Sequence, residues 1–274
     1  MFDREEEMDR YLDEIKDMLR RKQYAAVRDL LLPLEPPDIA MLLEEAGEEF
    51  MPLLYRLLPK ELAADVFAFL EPDVQEHIIN SITDAELAKI IEDLFVDDAV
   101  DMLEELPATV VKRVMRTAGP ETRSLINQFL KYPENSAGSI MTAEYIGLKK
   151  YMNVEQAFAY IRAHGVDKET IYTCFVTDAQ RRLEGVVTIK DLLMNPYDMK
   201  MDENVIKAVT TEDQEEVVDL FNKYDLMCLP VVDHEDRLVG IVTVDDVVDV
   251  MEEEATEDIE KMAAMLPSDK PYLK

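Results

Sequence analysis

Nine carboxylates crowd one short stretch of this chain: Asp245, Asp246, Asp249, Glu252, Glu253, Glu254, Glu257, Asp258 and Glu260, offset locally by Lys261. They stand on the segment from Gly240 to Met262, where Val247, Val250, Met251, Ala255, Ile259 and Met262 recur at helical spacing. A helix so charged around its solvent faces repels itself. Either water and counterions screen the charge, or a divalent cation sits on it. A second chemistry-bearing pattern occurs twice, as Thr188-x-x-Asp191 and Thr243-x-x-Asp246. A threonine at a strand end followed by an aspartate opening a helix sets an acceptor beside backbone N–H groups, which suits an anion or a sugar hydroxyl as well as plain helix capping.

Other chemistry is poorly served. His77, His164 and His234 stand too far apart in sequence for a zinc or iron set, and each reads as a surface or partly buried residue. Cys174 and Cys228 lie in apolar runs without a CxxC pattern, which fits reduced core residues of a cytosolic protein. There is no glycine-rich phosphate loop, no Ser/His/Asp or Cys/His arrangement and no general-acid pair, so the sequence predicts no enzyme.

The composition narrows the partners further. A length of 274 residues with 48% hydrophobic residues supports two ordinary domains. A net charge of −31 argues against nucleic acid, whose binding needs a basic surface to release counterions, and against an anionic membrane surface. No signal peptide and no run of eighteen apolar residues is present, so the chain as written reads as soluble.

Two elements must position these residues. From Leu34 a register of twelve returns Leu34, Ala46, Leu58, Leu70, Ile82, Leu94, Leu106, Ala118 and Leu130; a second line runs Leu42, Leu54, Val66, Ile78, Ile90, Met102, Val114 and Ile126. Helix-start signals fall between them at Pro36-Pro37-Asp38, Pro59-Lys60-Glu61, Pro72-Asp73, Thr83-Asp84, Asp97-Asp98, Pro107 and Pro120-Glu121. Each unit reads as a helix of roughly two turns plus a tight corner. Helices that short must stack on their neighbours, which predicts a right-angled or superhelical α-solenoid across about residues 24 to 131. Its carboxylates, Asp65, Asp97, Asp98 and Asp101 among them, suit helix N-terminal placement and solvation. The second half is a duplication, in which the segment from Asp178 matches that from Asp233 at an offset of 55. Each copy reads as helix (154–163; 215–223), strand (171–176; 227–232), strand (183–188; 238–243) and a further helix.

Helix, strand, strand and helix closing on G-x-V-T-x-x-D resemble the cystathionine-β-synthase (CBS) domain, which occurs as tandem pairs. That resemblance implies a cleft for an adenine nucleotide, with the aspartate on the ribose hydroxyls and the threonine near the phosphates: Thr188 and Asp191 in the first copy, Thr243 and Asp246 in the second. Lys190 suits a phosphate, whereas Val244 and Asp245 in the second copy do not.

Taken together, AADVF (63–67), VDDAVDML (96–103), AGSIMTAEY (137–145), DQEEV (213–217), YDLMCLPVVD (224–233) and GIVTVDDVVDVMEEEATEDI (240–259) resemble the cytosolic part of the MgtE family of magnesium channels, in order along nearly the whole chain. The resemblance implies a helical superhelix domain over 1–131, CBS domains over 132–196 and 197–250, and a connecting helix over 251–274 leading to a membrane domain. Tyr272 would then lie near the start of a span that this soluble fragment lacks. It also implies a homodimer through the CBS domains, on the cytoplasmic face of the cell membrane. Mg2+ would bind between the acidic parts and hold the pore closed when abundant. Carried over by motif, its ion-binding positions fall on Asp65, Asp97, Asp101, Gly138, Glu215, Asp225, Asp246, Asp249, Glu254, Glu257 and Asp258. The family commonly has glutamate at Asp65. Its ATP positions fall on Tyr172, Lys190, Asp191 and Leu226, where arginine and an aromatic are usual at the second and fourth; the changes lose a bidentate fork and a stacking plane. Mg2+ keeps several waters and takes few carboxylate oxygens, so scattered acidic pairs are what its sites look like in sequence. A stand-alone adenine-nucleotide sensor built on the CBS pair is the alternative, and a scaffold gripping a partner protein is a third.

Overall fold

Ten residues of helix and two of extended chain make one unit of the repeat. In the computed structural model, which describes residues 4–166, 168–195 and 202–262, α1 spans Arg4–Arg20, α2 Tyr24–Leu31, α3 Pro36–Ala46, α4 Met51–Tyr55 and α5 Lys60–Ala68. The regular units follow as α6 Pro72–Ser81, α7 Asp84–Asp93, α8 Val96–Glu105, α9 Ala108–Thr117 and α10 Pro120–Phe129. These helices are nearly three turns long, longer than the sequence register suggests, because the corner consumes just two residues. Ile82 and Thr83, Leu94 and Phe95, and Leu106 and Pro107 all adopt extended backbone there.

The two lines of the register have separate jobs. Leu42, Leu54, Val66, Ile78, Ile90, Met102, Val114 and Ile126 sit within or at the ends of helix cores and are all buried. The other line supplies corners, and the amides of Ile82, Leu94, Leu106 and Ala118 donate to the carbonyls of Ile78, Ile90, Met102 and Val114 at 2.9–3.2 Å. Corner and core are thus tied together one helical turn apart. Successive helices alternate between two rows, since α3 packs on α5, α5 on α7 and α7 on α9, while α4 packs on α6 and α6 on α8. Basic side chains close the exposed helix ends: Arg113 donates to the carbonyls of Ile79 and Ile82, and Arg123 to that of Ala118 at 2.7 Å. The helical array also begins earlier than the register, because α1 packs on α2 and α3 through buried Leu12, Ile15 and Leu19.

The chain divides into two units between Asn127 and Gln128. In the second, β1 (Gly147–Lys149), α11 (Val154–His164), β2 (Thr173–Thr177), β3 (Leu183–Thr188) and α12 (Ile189–Met194) form one copy; β4 (Ala208–Val209), α13 (Gln214–Tyr224), β5 (Cys228–Val232), β6 (Leu238–Thr243) and α14 (Val244–Met262) form the other. Each sheet runs in chain order, parallel between its first two strands and antiparallel between the last two. The short parallel strands β1 and β4 are additions to the sequence reading. The duplication extends to fine detail: both hairpins carry an irregularity one residue before the strand ends, at Val176/Thr177 and Val231/Val232, and both turns hold a residue at positive φ, Arg181 and Asp236.

The copies exchange edges. Thr142, ahead of the first copy, pairs in both directions with Ile241 on β6 at 2.8 and 2.9 Å. Asp202, ahead of the second, pairs in the same way with Val186 on β3 at 2.8 and 3.0 Å. At the turns, the amide of Leu183 donates to Asp236 O and that of Leu238 to Arg181 O, both at 2.9 Å. Phe175, Leu238 and Ile241 make a small core where the copies meet. Gly240 admits the incoming segment, since a Cβ there would lie 2.6 Å from Met141 Sδ and 2.7 Å from Thr142 O.

Candidate functional site

The start of α14 is built around Asp246. The amide of Thr243 donates to Asp246 Oδ2 at 2.8 Å, and the Thr243 hydroxyl lies 2.7 Å from the same oxygen and against Asp245 Oδ1. Burial pushes the Asp246 carboxyl up to about 6, against the lowering effect of the Thr243 bonds and with Asp245 and Asp249 adding to the rise. Asp249 is raised by burial first, then by Glu252 and Asp245. The Cys228 thiol, paired in the ladder with Thr243, is also pushed up, by burial and then by Asp246. Among these described neighbours the electrostatic contributions that raise Asp246 and Asp249 all come from carboxylates.

α13 lies alongside α14 and runs opposite to it. Its first residue, Gln214, donates from Nε2 to Glu254 Oε1 at 3.0 Å, while four residues beyond its other end Cys228 pairs with Thr243. The expected positions of the second unit therefore fall into two groups. Asp225 stands at the end of Asp246 and Asp249, held in the left-handed region (φ 51) as the cap of α13. Glu215 stands at the end of Glu254, its amide donating to Asp213 Oδ1 at 2.9 Å. The groups are separated by ten residues of α13, about 15 Å along its axis. The side chains of Glu257 and Asp258 lie outside the described ones. Gly138 is buried, its amide donating to Thr210 O at 3.0 Å, and a Cβ on it would lie 2.7 Å from both Thr210 O and the Tyr132 ring. Its carbonyl is the one group it has to offer a cation.

In the first unit, Asp65 is exposed on α5, and Asp97 and Asp101 share a face of α8, which packs on α5. Asp97 is half-buried in the first turn of α8 and Asp101 is exposed. Among the described residues no three His, Cys, Asp or Glu side chains converge as a complete metal-ligand set.

The nucleotide positions of the first copy meet at the β3–α12 junction. Thr188 and Asp191 form a capping box, with Asp191 Oδ2 accepting from the Thr188 amide at 3.0 Å and from its hydroxyl, and the Asp191 amide donating back to Thr188 Oγ1 at 3.1 Å. The Ile189 amide donates to Tyr172 O at 2.9 Å, which brings the 77% exposed Tyr172 side chain to the same junction, next to exposed Lys190. Leu226 belongs to the other copy, in the turn after α13. Gln214 was not anticipated from sequence; a carboxamide on the apolar face of an otherwise acidic helix was its signal.

Residues 34–135 match the family model of the MgtE intracellular N domain, and 137–198 and 196–253 each match that of the CBS domain. The magnesium transporter MgtE of Thermus thermophilus is 38% identical over 266 residues, 94% of this chain and 59% of the relative. That of Bacillus subtilis is 28% identical, over 90% of this chain and 56% of the relative. The chain thus spans a little over half the length of these relatives. Among solved structures, the cytosolic domain of the Mg2+ channel MgtE in complex with ATP superposes with a TM-score of 0.81 at 36% identity, covering 87% of this chain and 99% of that one. The soluble part of a magnesium transporter superposes with a TM-score of 0.85 at 29% identity, covering 90% and 99%. No helix among the described residues is long and apolar enough to cross a membrane.

Proposed function

The chain belongs to the MgtE family, and from that premise we propose that it is the Mg2+-sensing regulatory region of a magnesium channel, on the cytoplasmic face of a cell membrane, with no catalytic role of its own. The observation that carries this reading is Asp246, a half-buried carboxylate whose proton affinity is raised by desolvation and by the neighbouring carboxylates Asp245 and Asp249. Its donor set fits Mg2+: hard oxygens in small groups, too few at any point to displace the ion's water shell. Asp225, Asp246 and Asp249 would hold an ion at one end of α13, and Glu215 and Glu254, with Glu257 and Asp258, at the other. Asp65, Asp97 and Asp101 would serve the first unit, and Gly138 would offer its carbonyl. Bound Mg2+ would supply the positive charge that lets these anionic segments pack closely.

Without it the carboxylates repel one another, screened over about 8 Å at physiological salt, and the segments loosen. Moving a two-state switch from mostly open to mostly closed takes on the order of 5.5 kcal/mol of differential binding, whereas one weak site at concentrations near its Kd supplies about 0.4 kcal/mol. Several sites acting together are therefore required, in keeping with acidic groups spread over both units.

A homodimer through the CBS domains is part of the proposal. Apolar side chains are exposed at positions equivalent under the internal duplication, Leu193 with Val248 and Tyr172 with Met227, which gives a surface of two matching halves. ATP is the second ligand, at Tyr172, Thr188, Lys190 and Asp191, with Leu226 contributed by the other copy. The stand-alone adenine-nucleotide sensor draws on that same junction, whose capping box is already formed.

Limited proteolysis tests the main reading. Millimolar Mg2+ should protect the segment from Lys131 to Ser139, and chelator should expose it. Identical digestion in the two conditions rejects Mg2+ sensing, and nucleotide binding measured in that case would favour the sensor alternative.

A further inference from the structure

Gln214 ties together three segments of the second unit. Its side chain is inside, the residue being 5% exposed, and Nε2 donates to Glu254 Oε1 at 3.0 Å. Its backbone amide donates to Asn135 O at 3.0 Å, in the segment ahead of the first CBS copy. That segment continues along the second copy through Ala137 N to Glu212 O at 2.7 Å and Gly138 N to Thr210 O at 3.0 Å.

The duplication supplies an internal control. α11 and α13 begin alike, each behind a capping side chain, Asn153 and Asp213. The first helical residue is buried in both, but it is Val154 in one copy and Gln214 in the other. The copies also differ in the helix that follows their last strand. α12 stops at Met194, while α14 continues to Met262 and carries Glu254. A carboxamide therefore replaces an apolar residue in the copy whose helix extends far enough to present a carboxylate to it. Burying an amide costs free energy unless it is hydrogen-bonded, and a bond to a carboxylate is among the stronger kind.

We propose that Gln214 is a positioning residue for the cation site at Glu254: it fixes one oxygen of that carboxylate, aims the other outward as a ligand, and links α14 to the Asn135–Gly138 segment through its own backbone. This rests on the Mg2+-sensing reading. Glu254 then ligates from a fixed rotamer, and the segment that leads out of the helical domain is bonded to the residue that holds it.

The test uses the 274-residue chain and reads two quantities: thermal stability in EDTA, and the Mg2+ concentration at half-protection of residues 131–139 from protease. Gln214→Met keeps the volume and removes the donor, and Gln214→Val installs the residue of the first copy. Either should raise the Mg2+ midpoint about five- to tenfold, the scale of one charge-assisted hydrogen bond, while the melting temperature in EDTA changes little. Added to Glu254→Gln, Gln214→Met should give no further rise. A lowered melting temperature with an unchanged Mg2+ midpoint, or rises that add in the double variant, would overturn the proposal and leave Mg2+ sensing intact. If the unmodified chain shows no Mg2+ response, both fall. Should Gln214→Met not fold, Gln214→Val against Glu254→Gln carries the same comparison.

Discussion

The amide of Thr243 donates to Asp246 Oδ2 at 2.8 Å, yet the carboxyl of Asp246 sits well above its ordinary range. The bond favours the charged form, and burial with Asp245 and Asp249 nearby outweighs it. The last strand of the second copy therefore hands the chain to its acidic helix at a point where negative charge is costly.

That cost has a direction in pH. With a value near 3.8 unfolded and about 6 folded, Asp246 binds its proton more tightly in the native state. Its contribution to stability is full below pH 3.8 and is lost as pH rises through 6. The size is on the order of 3 kcal/mol, and the upward shift of Asp249 works in the same direction. In EDTA, Asp246→Asn should thus raise the urea midpoint at pH 7.5 and leave it nearly unchanged at pH 4. Parallel curves for the two proteins across that range would contradict the assignment.

Gly138 is a steric requirement before it is a ligand position. Ala in its place would set a Cβ 2.7 Å from Thr210 O, a backbone atom with little room to move, and as close to the Tyr132 ring. Gly138→Ala should cost about 1–3 kcal/mol, as overpacking does. Gly47→Ala meets no atom within 4 Å but would hold alanine at φ 79 and ψ 166, a region that glycine almost alone occupies, at about 1–3 kcal/mol. Thermal denaturation in EDTA should show both variants melting below the unmodified chain, and an unchanged melting temperature for Gly138→Ala would contradict the steric argument.

For the nucleotide junction, Asp191→Ala should abolish ATP binding in calorimetry and also cost about 1 kcal/mol of stability through the lost capping box. Asp191→Asn keeps an acceptor for the Thr188 amide and should recover most of the stability. Equal ATP affinity in all three proteins would remove Asp191 from the site.

How much of this was readable in advance depends on the range of each signal. The corner and core lines of the solenoid were plain, because a residue such as Ile78 recurs in kind every twelve positions. The duplication was plain for the same reason. β1 and β4 were not, since three and two residues carry no alternation to detect. α1 lies outside the twelve-residue register, which begins at Leu34, so it rests on the family resemblance and on the helical spacing of Leu12, Ile15 and Leu19. The carboxylates of α13 and α14 could be named from motifs, but their division between two ends follows from Gln214 meeting Glu254 forty residues later, a pairing that no local pattern encodes.

The reciprocal edge pairing of Thr142 with Ile241 and of Asp202 with Val186 has a consequence for how the second unit comes apart. Each half borrows its outermost strand partner from the stretch that precedes its sibling, so neither is whole when expressed singly. Peeling one away would strip an edge from both sheets at once and bare main-chain groups to foreign strands. A cut between the halves should accordingly leave each with an open sheet edge, so the two expressed singly are expected to associate more readily than the intact pair.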